Sequence, residues 1–304
     1  MTTIVTPQLI TNLNTVFRSD FQAAYDSAKA ASFWLKVASE VLSGSSSNTY
    51  GWLGDFPDLR EWIGDRVLNG MKAHGYAVEN REFESTVAVP RPQIEDDATG
   101  VYRPMMRSMG EAAARHPDQL IAALMKVADA TLCYDGQNFF DTDHPVNAAH
   151  DGSGADTSVS NIIAGAGEKW FLLDTTRPLK PFIHQVRKRP EFVQMTGAKD
   201  SEEVFMRNRF VWGVDSRCNV GLGFWQQAVQ SQATLDQDGF DAAYKMMQEF
   251  KGDGDRPLGR FPLLYLRQVY VISGISNILF SLYPTESRTW PASWHIPSIK
   301  ALSA

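Results

Sequence analysis

Apolar residues recur at helical spacing near the start of the chain. Leu9, Leu13, Val16, Phe17 and Tyr25 fall on one side of a helical wheel and predict an amphipathic helix over residues 7 to 31. Pro7 suits its first position, with Thr6 as the cap. Such a stripe must dock, on its own core or on a neighbour. Ser43-Gly44-Ser45-Ser46-Ser47-Asn48 then reads as a flexible polar hinge. Tyr76, Val78, Phe83, Val87 and Val89 alternate partly with polar residues, a strand pattern ended by Pro90 and Pro92. Glu95-Asp96-Asp97 precedes Met105, Met106, Met109, Ala112 and Ala113 at helical spacing, and acids suit a helix N-terminus. Leu120, Ile121, Leu124, Met125 and Val127 continue the pattern beyond Pro117. An unbroken helix through Pro117 would lose a backbone bond and clash. The pattern therefore predicts one helix from about 100 to 115, a break or kink, and a second from about 118 to 132.

Residues 145 to 168 are rich in Gly, Ser, Asn and Asp and read as a loop. Residues 169 to 229 alternate strand-like runs with turns, Phe205 to Val214 and Phe224 to Val229 among them. Leu235-Asp236-Gln237-Asp238 caps a helix carrying Phe240, Ala243, Met246, Met247 and Phe250, and Lys251-Gly252-Asp253-Gly254 ends it. No internal repeat is visible. Val269 to Leu282 is apolar but interrupted by Ser273, Gly274, Ser276, Asn277 and Ser281, and falls short of the roughly 20 apolar residues a membrane-spanning helix needs.

The stretch from Asn48 to Arg66 departs from all of this. It sets Tyr50, Trp52, Leu53, Phe56, Leu59, Trp62 and Ile63 among glycines, a proline and charges. Exposing so many large apolar groups together invites association. Aromatic residues and Arg are enriched at interface cores. Trp52, Leu53, Phe56, Leu59, Arg60, Trp62 and Ile63 are therefore the candidate inter-subunit contact residues. With a polar middle at Asn69 to His74 and the strand-like return, the segment reads as a long β-hairpin, marginal alone and in need of support.

The run resembles the corresponding segment of the major head (capsid) subunits of Mu-like bacteriophages and prophages. The likeness continues, in the same order, through Tyr134-Asp135-Gly136-Gln137-Asn138-Phe139-Phe140-Asp141-Thr142-Asp143-His144-Pro145 and Trp170-Phe171-Leu172-Leu173-Asp174-Thr175-Thr176-Arg177-Pro178-Leu179-Lys180-Pro181. It goes on through Gly213-Val214-Asp215-Ser216-Arg217-Cys218-Asn219-Val220-Gly221-Leu222-Gly223-Phe224-Trp225-Gln226 and Phe250-Lys251-Gly252-Asp253-Gly254-Asp255-Arg256-Pro257-Leu258-Gly259. The family is similar in fold to Hong Kong 97-type capsid proteins. The resemblance implies an α+β chain with an N-terminal arm (1–50), an extended loop (51–90), a peripheral domain with a spine helix and long strands, part of it axial (91–229), and an axial domain with a divergent tail (230–304). It implies self-assembly of pentamers and hexamers into an icosahedral shell around double-stranded DNA. The implied partners are a scaffold or protease, a portal and decoration proteins. The implied location is the virion, after assembly in the bacterial host cytoplasm. No cofactor, no metal and no membrane are expected.

Composition narrows the alternatives. A chain of 304 residues, 43% hydrophobic and 21% charged, can bury a sizeable core. A net charge of −6 argues against a nucleic-acid-binding module, which carries a basic patch or stripe. Only weak, non-specific contact with packaged DNA is expected. Cys133 and Cys218 form no disulfide framework or CxxC motif and fit a reducing cytoplasm. No basic segment followed by an apolar core opens the chain, so no signal peptide is read.

The best candidate for chemistry is Asp135 with Asp141, Asp143 and His144, which could ligate a divalent cation or share a proton. The pattern lacks HExxH spacing and the Gly and Glu of an EF-hand loop. The competing reading is a turn in which Asp side chains bond backbone amides. A soluble metal-dependent hydrolase using Asp141, Asp143 and His144 is the alternative function. Asp253-Gly254-Asp255 reads as a helix-terminating turn. Gly221-x-Gly223 lacks the third glycine and following helix of a dinucleotide site. Lys180, Arg187, Lys188 and Arg189 form a local basic cluster, read as a solvated turn or as a contact to acidic groups on a neighbour.

After Gly259 the resemblance stops. Only Arg267, Glu286, Arg288 and Lys300 are charged in the last 44 residues, and Asp is absent. A shifted reading frame or a divergent tail would each give such a change of composition.

Overall fold

The computed structural model describes residues 6–51, 75–96, 100–149, 153–197, 201–254, 256–258, 269–273 and 278–282. The chain begins with α1 (Pro7–Ala31), α2 (Trp34–Val37), β1 (Ala38–Leu42), β2 (Ser47–Thr49), β3 (Ala77–Glu79) and β4 (Arg81–Pro90). Then come α3 (Arg91–Asp96), α4 (Arg103–Val127), β5 (His144–Asn147), β6 (Asp156–Val159), β7 (Ile162–Ile163) and β8 (Trp170–Asp174). Next are β9 (Phe182–Met195), α5 (Glu202–Arg207), β10 (Arg209–Leu222), β11 (Ala228–Ser231) and α6 (Gln237–Glu249). Last are β12 (Lys251–Gly252), β13 (Arg256–Pro257), β14 (Val269–Ser273) and β15 (Ile278–Leu282). The described residues fall into two compact units. One draws on Met1–Asp55, Met71–Phe139 and Leu179–Gly223, the other on Phe140–Pro178 and Phe224–Ala304. Among the described residues, no helix is long and apolar enough to cross a membrane.

The first unit is built on a four-stranded sheet in the order β1-β9-β10-β4. The 14-residue strands β9 and β10 pair antiparallel, with register shifts between Asp215 and Cys218. β4 runs antiparallel to β10 and β1 parallel to β9. Phe17 and Phe21 of α1 and Met106 and Met109 of α4 pack with Phe192, Phe210, Trp212 and Val214 of the sheet. Each such side chain contributes about 1.5–3 kcal/mol by leaving water. The two helices approach closely at Gly110, where an added Cβ would lie 2.3 Å from the Phe21 carbonyl oxygen. Asp20 locks the pair by accepting from Arg103 (2.6 Å) and Arg107 (2.9 Å). Those guanidinium groups, Arg103 first, hold the Asp20 carboxyl below the usual carboxylate range.

Helix α1 follows the pattern at both ends, with Thr6 Oγ1 accepting from the Leu9 amide at 3.2 Å. Of the expected break or kink at Pro117, the break does not occur: α4 continues to Val127 with Pro117 buried inside it. Packing offsets the lost backbone bond, because Ser32 donates to the Ala114 carbonyl and Asp118 accepts from the Trp34 amide. These contacts hold the helix where local rules alone would end it. The helix also stops short of 132, in a 3-10 turn at Ala128–Ala130. Glu95 and Asp96 end α3 rather than open α4, and Glu95 pairs with Arg91 at 3.2 Å.

Three further expectations are corrected. The serine-rich segment is not a free hinge: β2 pairs antiparallel with β3, and Ser43, Ser45, Asn48 and Asn80 bond one another. Phe205 lies in α5, because Ser201 caps a short helix before β10 begins. Phe224 to Val229 opens with a 3-10 turn at Trp225–Gln227 before β11.

The second unit carries a five-stranded sheet in the order β15-β14-β8-β11-β7. All five residues of β8 and all four of β11 are buried. Helix α6 buries Ala243 and Met247, and Asp236 caps it by accepting from the Gly239 amide at 2.8 Å, as the sequence indicates. Residues 145 to 168, expected as a loop, instead hold the antiparallel β5–β6 hairpin and β7. Asn147 braces that hairpin through Gly154 and Asp156. The compositionally distinct tail supplies β14 and β15, and β14 pairs with β8 from Val269↔Asp174 to Ser273↔Trp170.

Candidate assembly elements and the acidic turn

The candidate contact residues Trp52, Leu53, Phe56, Leu59, Arg60, Trp62 and Ile63 lie outside the described residues. The base of their segment is described. The β2–β3 ladder closes at Thr49↔Ala77, and the Tyr50 amide donates to the Tyr76 carbonyl at 2.9 Å. The chain thus leaves and returns at one place on the first unit.

That base is pinned to the long strands by side chains. The Tyr50 hydroxyl donates to Gln185 Oε1 at 2.7 Å, and Gln185 Nε2 donates to the Val78 carbonyl and Asn80 Oδ1, each at 2.9 Å. Asn80 Nδ2 donates to Ser43 Oγ and the Ser45 carbonyl. On β10, the Leu222 amide donates to the Tyr76 hydroxyl at 2.7 Å, and Asn219 Nδ2 donates to the Glu79 carbonyl at 2.6 Å. Burial pushes both phenols, Tyr50 and Tyr76, up to about 12. They stay neutral, and each hydroxyl keeps its proton to donate. Gly221 is required here, since a Cβ would sit 2.6 Å from Val78 Cγ2 and 3.2 Å from the Tyr76 hydroxyl. The glycine pair discounted as a nucleotide site therefore has a packing cause. The anchoring roles of Tyr50, Tyr76, Asn80, Gln185 and Asn219 were missed from sequence. Each joins residues far apart in the chain, and only Gly221-x-Gly223 hinted at a close approach.

The acidic turn takes the form of a structural corner. Asp141 Oδ1 accepts from the Thr142 amide at 2.7 Å, and Asn161 Oδ1 accepts from the Asp141 amide at 2.9 Å. Its hydrogen bond with Asp141 raises the Asp143 carboxyl above the usual range, so the two acids compete to hold one negative charge. His144 is fully buried and stacks on Trp225, with centroids 4.0 Å apart and planes 8° from parallel. Asp135 belongs to the first unit, where its Oδ1 accepts from the Cys133 thiol at 2.9 Å. Burial pushes that thiol well above its ordinary range.

Among the described residues, Lys188 and Arg189 of the basic cluster are matched by acids of their own chain, and Arg187 and Lys180 by carbonyls. Lys188 pairs with Asp215 at 2.7 Å and Glu191 at 3.1 Å, and Arg189 pairs with Glu40. Arg187 donates to the Ser43 carbonyl at 3.2 Å, and Lys180 to the Leu35 carbonyl. Exposed pairs of this kind contribute little stability, but they lower the positive field offered to an outside partner.

Comparison with known proteins agrees with this architecture. The family model described as the Mu-like prophage major head subunit gpT matches residues 10–269, past the Gly259 at which the sequence likeness was read to stop. The chain is 44% identical to the major capsid protein of Escherichia phage Mu over 262 residues, 85% of each chain. It is also 44% identical to the Mu-like prophage FluMu major head subunit of Haemophilus influenzae, over 85% of this chain and 84% of that one. Among solved structures, the procapsid of bacteriophage JBD30 superposes with a TM-score of 0.77 at 52% identity, covering 87% of each chain. The JBD30 capsid gives 0.63 at 38% identity, covering 84% of each. The mixed helix-and-sheet architecture is that of phage capsid subunits of the Hong Kong 97 type. The chain belongs to the Mu-like prophage major head subunit gpT family and is a structural subunit of the phage head.

Proposed function

We propose that this subunit assembles as pentamers and hexamers into an icosahedral shell around double-stranded DNA. One observation carries the reading: the segment bearing the aromatic run is anchored at both ends on the long strands, at Tyr50 and at Tyr76. A segment fixed at its base can present Trp52, Leu53, Phe56, Leu59, Arg60, Trp62 and Ile63 to an adjacent subunit. Residues 1–50 then serve as the arm and 51–90 as the extended loop. Residues 91–229 contain the peripheral domain, and 230–304 belong to the axial one. The two compact units support assigning residues 140–178 and 224–229 to the axial part. A procapsid and a capsid decorated with minor capsid protein trimers exist for JBD30. By analogy, a scaffold or protease, a portal and a decoration protein are the partners here, and assembly takes place in the host cytoplasm.

Many modest contacts add up in such a shell. Trp62→Ala is the direct test of the contact set. It should weaken assembly while the isolated subunit keeps its unfolding midpoint. A variant that unfolds yet assembles normally contradicts the reading. DNA contact is weak on this account, because the net charge is −6 and two of the four residues of the basic cluster are paired with acids. A mobility shift with random duplex at physiological salt should show no sub-micromolar binding; tight binding with a steep salt slope would overturn that.

A further inference from the structure

Trp34 of α2 and His184 of β9 meet edge to face in the first unit, with centroids 4.5 Å apart and planes at 69°. Trp34 is 2% exposed and His184 5%. The indole Nε1 and both imidazole nitrogens have no hydrogen-bond partner among the described residues. Buried polar atoms are nearly always paired, so an indole N–H beside an imidazole nitrogen, both without a partner, needs a cause. A cavity adjoins both rings, lined also by Ala113, Ala114 and Pro117 of α4 and by Val186 of β9. The space open to a water's centre is ≈ 20 Å³, above the roughly 10–15 Å³ that one water needs. Pro117 has no N–H, so the carbonyl of Ala113, a residue that lines this cavity, lacks its helical donor.

We propose that one ordered water is a built-in part of this junction, accepting from Trp34 Nε1–H and donating to a nitrogen of neutral His184 and to the Ala113 carbonyl oxygen. Three bonds are the usual number for a buried water. Inserted waters commonly accompany interruptions of a helical ladder. Here the water replaces the donor that Pro117 lacks, and α4 runs on. Burial first, then the positive charges of Lys29 and Arg189 and the nearby His116, push the His184 imidazole down to about 4. The ring is therefore neutral at ordinary pH and keeps a lone pair for the water. Tyr25, Glu40, Lys188 and Cys218 also line the cavity.

The test is a density map of particles assembled from the full chain, at a resolution that shows ordered waters. The expected result is a peak within about 2.7–3.2 Å of Trp34 Nε1, a His184 nitrogen and the Ala113 oxygen. The peak should vanish in His184→Phe, or in Trp34→Phe if the first variant does not fold. No peak in the unmodified chain overturns the proposal. So does a peak retained in the variant, or one that strengthens when bromide replaces chloride, which marks an anion.

Discussion

The Tyr50 hydroxyl donates a 2.7 Å hydrogen bond to Gln185 Oε1, joining the first residue of the 50–76 excursion to the first part of β9. Gln185 is fully buried and Tyr50 2% exposed. Tyr50→Phe keeps the ring and strands a buried acceptor, a loss of about 1–3 kcal/mol. Urea unfolding of the unassembled subunit should show a lower midpoint. Limited proteolysis should cut faster between residues 50 and 76. An unchanged midpoint and an unchanged cutting rate would show that the bond does not anchor the loop.

His184 gives the junction of helix and sheet a defined pH dependence. Its imidazole falls from 6.5 to about 4 on folding. Below pH 6.5 the unfolded chain takes up a proton that the folded chain refuses, so stability falls with pH. The His184 contribution is complete above about pH 6.5, declines toward pH 4, and is gone below it. At ~1.4 kcal/mol per pKa unit the full loss is about 3 kcal/mol. Lys29 of α1, His116 of α4 and Arg189 of β9 raise the cost of a charge there, and Glu40 of β1 is held by Arg189. Unfolding midpoints between pH 4 and 7 should fall more steeply for the unmodified chain than for His184→Phe. Parallel slopes would rule this out.

The order in which local and distant contacts act explains what the sequence disclosed. Helices α1 and α6 are legible because their caps, Thr6 and Asp236, lie within a few residues of the stripes they introduce. A break at Pro117 is avoided because Ser32 and Trp34, which no window around residue 117 contains, bond to Ala114 and Asp118 of α4. The serine-rich segment looks mobile in isolation, yet Asn80 and Gln185, distant in sequence, fix it. The aromatic run was conspicuous by its composition alone. Its anchors were not, since Tyr50, Gln185 and Asn219 are ordinary polar residues until the strands meet.

The acidic turn should be dispensable for assembly. Asp143 is raised by Asp141, so the pair opposes folding slightly at neutral pH, and Asp141→Asn relieves it. The amide oxygen of Asn can still accept from the Thr142 amide. Particles of Asp141→Asn should form in normal yield, and elemental analysis should find no stoichiometric metal in either protein. Metal bound to the unmodified chain and lost from the variant would restore the hydrolase alternative.

Electron microscopy of the purified full-length chain, fractionated by size exclusion, tests the central claim most directly. The account predicts rings, closed shells or tubes of repeating capsomers in the large-size fraction. A single population of small discrete oligomers, with no extended assembly even at high protein concentration, would contradict it.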